Sequence, residues 1–149
     1  MNRRSFGLAA LLLALSAPAF AEGPATRILK DPSCGCCTAW ADLARAAGYQ
    51  VTLIDSPDIG AVKDRAGVPA PLWSCHTAMV EGYVVEGHVP FDALARLLKT
   101  RPDVTGIAVP GMPEGSPGMG DDPGARYDVV AWGGAAGEGR LFHRAGAPR

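Results

Sequence analysis

Only four cysteines occur in these 149 residues, too few to staple a fold densely, and a chain of this length buries a modest single core without such help. Scaffolding is therefore a poor reason for them to be there. Long apolar runs are missing too: the stretch Leu8–Leu15 has eight residues, against the roughly 20 that a membrane-spanning helix needs. There is no excess of positive charge, the formal net charge being −1, so nothing invites nucleic acid. No internal repeat is visible.

What is present begins with a basic start at Arg3 and Arg4, the short apolar stretch, and the small-residue site Ala19-Phe20-Ala21. This is the pattern of a cleavable secretory signal over residues 1–21, with a mature start at Glu22 and no membrane attachment after cleavage. Cleavage removes two basic residues and no acid, leaving twelve basic against fifteen acidic, net −3. Arg3-Arg4-Ser5-Phe6 also fits the twin-arginine signal, which exports proteins already folded. An ordinary secretory signal explains the arginines equally well, and Asn2 stands where Ser or Thr is more usual, so both routes stay open.

Along the mature chain, "TRILK" is short and β-prone and is punctuated by Asp31-Pro32-Ser33. From Thr38, the side chains Trp40, Leu43, Ala44 and Ala47 fall at helical spacing on one face, and Gly48 follows where a helix stops. "YQVTLID" predicts a second strand, "SPDIGAVKDRAG" a short helix, and Val68-Pro69-Ala70-Pro71 a stiff connection. "TAMV" and "YVVEG" flank Glu81-Gly82 as a hairpin, and "FDALARLLKT" predicts a helix with Phe91, Leu94, Leu97 and Leu98 on one side. The order β-α-β-α-β-β-α is that of a thioredoxin-like α/β core. Residues 110–125, dense in Gly and Pro, make an irregular loop. Beyond it "RYDVVAW" and "RLFHR" pair as a C-terminal hairpin, so the chain divides into a domain over 22–119 and an extension over 120–149.

The thiols of "DPSCGCCTAW" lie between the first strand and the first helix, where the thioredoxin fold keeps its redox pair. Cys34 and Cys37 have C-x-x-C spacing, and thiols at a helix N-terminus lose protons more easily. A dithiol oxidoreductase would need only Cys34 and Cys37, leaving Cys36 without a role. Several sulfurs converging on one loop suit a soft d10 ion such as Cu(I), which bridges crowded thiolates. Cys75, at the end of the stiff connection, supplies a fourth sulfur. His88 is a further candidate ligand. His76 is a weaker one, because neighbours on a strand point to opposite faces. Met112 and Met119 lie in a polar loop, where thioether sulfur serves either as a soft ligand or as a plug on the core. Trp40 and Trp73 read as core packing that walls the site. Zinc would accept four sulfurs, but three thiols packed this tightly suit its tetrahedron poorly. Structural disulfides are the bland account of four cysteines in an oxidising compartment; four thiols allow three pairings, adjacent Cys36 and Cys37 make a poor pair, and Cys34–Cys37 with Cys36–Cys75 is one of the pairings that stay open.

Three separated motifs, "CGCC" with "TAW", "GVPAPLWSCHTAMVEGYVVEGHVP" and "GIAVPGMPEGSPGM", resemble the CopG-type periplasmic proteins of bacterial copper-resistance operons over about residues 27–119. The tail from Gly120 resembles them only loosely. The resemblance implies a periplasmic, thioredoxin-like protein that binds copper, as a multinuclear Cu(I)–thiolate cluster, through Cys34, Cys36, Cys37 and Cys75. His88, Met112 and Met119 transfer as weaker ligands. The expected function is to hold Cu(I) for sequestration, transfer or redox conversion, with a copper exporter or multicopper oxidase as partner. The alternative is a thiol-disulfide or copper oxidoreductase working through Cys34 and Cys37, and a third reading makes the Met loop a docking element for another protein.

Overall fold

The computed structural model describes residues 23–146, so the expected signal segment, residues 1–21, lies outside the described residues. The chain runs β1 (Ala25–Lys30), α1 (Gly35–Ala46), β2 (Gln50–Asp55), α2 (Ile59–Arg65), a 3-10 turn at Ala70–Leu72, β3 (His76–Val80), β4 (Tyr83–Glu86), α3 (Phe91–Thr100), β5 (Gly106–Ala108), β6 (Tyr127–Trp132) and β7 (Arg140–Ala145). Through α3 this is the order read from the sequence.

Among the described residues, all seven strands form one mixed sheet in the order β2-β1-β3-β4-β5-β6-β7. β1 runs parallel to β2 and antiparallel to β3, and β4 runs parallel to β5. β3 and β4 are joined through Glu81 and Gly82, both at positive φ, as the tight two-residue hairpin turn requires. The C-terminal strands do pair antiparallel, with a bulge between Val129 and Val130.

α1 and α3 cover one face of the sheet. Trp40, Ala41, Ala44, Leu94 and Leu97 pack there on Ile28, Ala78, Val80, Val85 and Ile107, all buried. α2 and the segment after it cover the other face, where Val68 and Leu72 meet Ala108 and Trp132. The alternation along each strand sorts the two layers: Ala78 and Val85 face α1 and α3, while Thr77 and Glu86 face α2.

Three expectations need correction. α1 begins at Gly35 rather than Thr38, so Cys36 and Cys37 lie inside its first turn. Its buried face is Cys37, Trp40, Ala41 and Ala44, an i, i+3, i+4, i+7 stripe that turns Ala47 to solvent and leaves Leu43 44% exposed. β5 was not anticipated, because three residues ending just before Val109-Pro110 carry no periodic signal.

Candidate metal centre

The β1–α1 junction is built locally. Ser33 donates through both its backbone N–H and its hydroxyl to the Asp31 carboxylate, and Lys30 donates to the carbonyls of Asp31 and Pro32. The chain is thereby turned into α1 with Cys34 as its N-cap, whose sulfur accepts from the Cys37 N–H at 3.3 Å. A sulfur in that position sits at the positive end of the helix.

Cys34 and Cys37 are joined as a disulfide, and Cys36 and Cys75 are free thiols. The Cys36 sulfur is 3.5 Å from that of Cys34 and 4.0 Å from that of Cys75. All four sulfurs lie within 4.8 Å of one another. A second group, Cys75 with His76 and His88, meets the same limit, so Cys75 is shared between a sulfur cluster and a pair of imidazoles.

His88 is held in a defined orientation. Its Nδ1 is 2.7 Å from the Pro117 carbonyl oxygen and its Nε2 is 2.8 Å from the Cys75 sulfur. A carbonyl can only accept, so Nδ1 carries the hydrogen and Nε2 presents its lone pair to the thiol. This is how a carbonyl commonly fixes an imidazole for metal binding. Burial lowers the His88 pKa, against the raising effect of the Pro117 carbonyl. Burial also pushes the Cys75 thiol up to about 12, with the charge of Cys36 and its hydrogen bond adding to the effect. The metal-free pair is thus a neutral thiol donating to a neutral imidazole.

His76 is fully buried, with its ring 4.8 Å from that of Trp40 and edge-on to His88 at 5.1 Å. Its Nδ1 lies 3.5 Å from the Cys75 sulfur. Burial, then the charges of His88 and Lys63, hold its pKa well below the usual range. Its Nε2 is buried and has no hydrogen-bond partner among the described residues. His76, the weaker candidate by strand alternation, thus lies beside Cys75. Cys75 lies in a bend and β3 starts only at His76, so strand alternation does not operate between them.

The Gly/Pro loop spans the cluster at two points. Gly111 donates its N–H to the Trp73 carbonyl and accepts from the Ser74 hydroxyl, next to Cys75. Gly118 lies so close to α1 that a Cβ on it would be 2.9 Å from the Cys36 carbonyl oxygen and the Trp40 nitrogen. Met112 and Met119 each follow one of these contacts. Met112 is 55% exposed and Met119 half-buried. Trp40, fully buried, donates to the Val89 carbonyl at 3.0 Å and stacks on Phe91, which makes it the wall behind the site. Trp73 is half-buried and donates to the Val68 carbonyl.

Known proteins are similar to this chain. The family described as a protein of unknown function, DUF411, matches residues 72–119. A solved structure named copper resistance protein CopG, form 2, is 41% identical, with a TM-score of 0.76, covering 83% of this chain and 98% of that one. Form 1 is 40% identical at the same TM-score, covering 85% of this chain and all of that one. Among curated proteins nothing matches.

Proposed function

Since this chain belongs to the CopG family of copper resistance proteins, we propose that it holds Cu(I) as cargo in a multinuclear thiolate site on the periplasmic side of the inner membrane. The observation that carries this is the convergence of Cys34, Cys36, Cys37 and Cys75 within 4.8 Å, with the lone pair of His88 aimed at Cys75. Thiolate and imidazole are the donors that a soft d10 ion selects. Spacing this short lets one sulfur bridge two ions. Zinc is the weaker cargo, since Cys36 and Cys37 are adjacent on one helical turn and a single tetrahedron accommodates them poorly. His88 and Met119 complete the site from the loop side, and Met112 stands at the surface as an entry ligand.

Closing the Cys34–Cys37 disulfide removes two of the four sulfurs from service, so capacity depends on reduction. The same observation supports the second reading, an oxidoreductase using Cys34 and Cys37. Export through the signal at residues 1–21, with a copper exporter or oxidase as recipient, completes the proposal.

An anaerobic Cu(I) titration of the reduced protein against a chelating competitor, with bound metal counted by elemental analysis, tests it. Several ions per chain are expected, falling in Cys36→Ser and after closure of the disulfide. Weak binding, or binding that Cys36→Ser leaves unchanged, would put the dithiol oxidoreductase first.

A further inference from the structure

On the α2 side of the sheet, Lys63 and Glu86 form an ion pair at 2.6 Å with side chains 3% and 0% exposed. Thr77, also fully buried, accepts from Lys63 at 3.2 Å and donates to the second carboxylate oxygen of Glu86 at 2.7 Å. Removing two charges from water costs several kcal/mol per ion before their attraction is counted, and a well-packed apolar pair is often no less stable. Stability alone is therefore a weak reason for this pair. The remaining hydrogen bond supplies another: the Glu86 oxygen that receives Lys63 also accepts the backbone N–H of Ser74 at 2.7 Å. Ser74 immediately precedes Cys75.

The Ser74–Cys75 bend is thus gripped twice by one three-residue segment. Glu86 holds its backbone from the α2 side, and His88 meets its thiol from the α1 side. Gly87 between them, at φ +75°, makes the turn that lets both reach, and a Cβ on it would run into the Ser74 side chain. Cys75 itself belongs to no strand or helix, so its place opposite Cys36 depends on these anchors.

We infer that Glu86, held by Lys63, is a positioning residue that fixes Cys75 against the thiols of α1. A hydrogen bond to an ionised acceptor contributes enough that its loss makes opening of the bend roughly tenfold or more frequent. In the chain with Cys34–Cys37 closed, Cys36 and Cys75 are the free thiols, so their alkylation by iodoacetamide, mapped by mass, reports each separately.

Glu86→Leu with Lys63→Met removes both charges and the acceptor. Glu86→Gln with Lys63→Met removes the charges and keeps an oxygen for Ser74. The first double variant should raise the alkylation rate of Cys75 about tenfold or more while leaving that of Cys36 unchanged; the second should stay within about twofold of the parent. An unchanged Cys75 rate in the first variant, or a parallel rise at both thiols, would overturn the inference. Should that variant fail to fold, hydrogen exchange in the unaltered chain decides: the Ser74 amide should be protected like those of β3 and β4, and exchange at the rate of exposed-loop amides would refute the anchor. Alkylation needs no metal, so failure of the copper reading leaves this result standing. The consequence for cargo does rest on that reading: Cu(I) affinity of the reduced chain should fall about tenfold in the Leu variant and not in the Gln variant.

Discussion

Cys75 and His76 are neighbours that titrate in opposite senses. His76 is held well below its usual range by burial and by the charges of His88 and Lys63. Below about pH 6.5 the unfolded chain therefore takes up a proton that the folded chain refuses, and stability falls as the pH drops. His88, lowered by burial, adds to this limb. Cys75 is raised to about 12, so the unfolded thiol ionises first, from about pH 9; its contribution is complete below that and is lost as the pH climbs toward 12. Urea unfolding of the chain with Cys34–Cys37 closed should show a plateau between about pH 7 and 8.5, declining on both sides. His76→Gln should shrink the acid limb and Cys75→Ser the alkaline one. An acid limb untouched by His76→Gln would assign it to other groups. At this scale the sequence offered candidates for the chemistry and was silent about the direction of their titration. The four cysteines and His88 could be named as candidates because their side chains are scarce and soft. The grip of Glu86 on Ser74 was invisible, since a Glu in "YVVEG" on a predicted strand has no signature that says which backbone N–H it will meet.

The elements around the site differ in how they declare themselves. α3 was legible because Phe91, Leu94, Leu97 and Leu98 fall at helical spacing on one side. α1 was legible in kind, but its first turn was not, because Gly35 and three cysteines carry no amphipathic signal and the cap is a sulfur rather than the usual oxygen. The Gly/Pro loop was recognisable only as irregular, whereas its contacts with Ser74, Cys36 and His88 give it a fixed place. Two glycines test that place. Gly118 and Gly120 have nearly the same φ, +85° and +87°, but a Cβ on Gly118 would strike the α1 backbone and one on Gly120 would meet open space. Gly120→Ala should therefore cost only the left-handed backbone penalty, roughly 1 kcal/mol. Gly118→Ala should cost that and lift the loop from Cys36, loosening the Pro117 carbonyl from His88. Thermal melts should rank Gly118→Ala clearly below Gly120→Ala, and only the former should weaken Cu(I) binding. Equal losses from both would mean that the loop is not seated on α1.

At the scale of the whole molecule, the thiol site lies at one end of a sheet that continues beyond the thioredoxin-like strands. β5 joins β4 in parallel and passes the sheet on to the β6–β7 hairpin. This continuation was hard to read because β5 has only three residues and the Gly/Pro loop separates it from the strand it pairs with. The hairpin has a mechanical link to the site. Trp132 on β6 is 2% exposed, packs with Val68, Leu72 and Ala108, and donates its indole N–H to the Gly67 carbonyl at 3.0 Å. Val68–Leu72 leads directly to Trp73, Ser74 and Cys75, so the far hairpin braces the segment that carries the fourth thiol. Trp132→Ala should destabilise the chain by about 3–5 kcal/mol, the usual result of emptying a buried tryptophan site. It should also speed alkylation of Cys75 more than that of Cys36, because the unbraced segment opens locally before the rest of the molecule does. Leu141→Ala on the outer strand, where the side chain is 47% exposed, should change unfolding free energy by no more than about 0.5 kcal/mol. If Trp132→Ala lowers stability while both thiols stay equally protected, the hairpin supports the sheet alone. A selective rise at Cys75 would instead make β6 part of the machinery that holds the metal site in register.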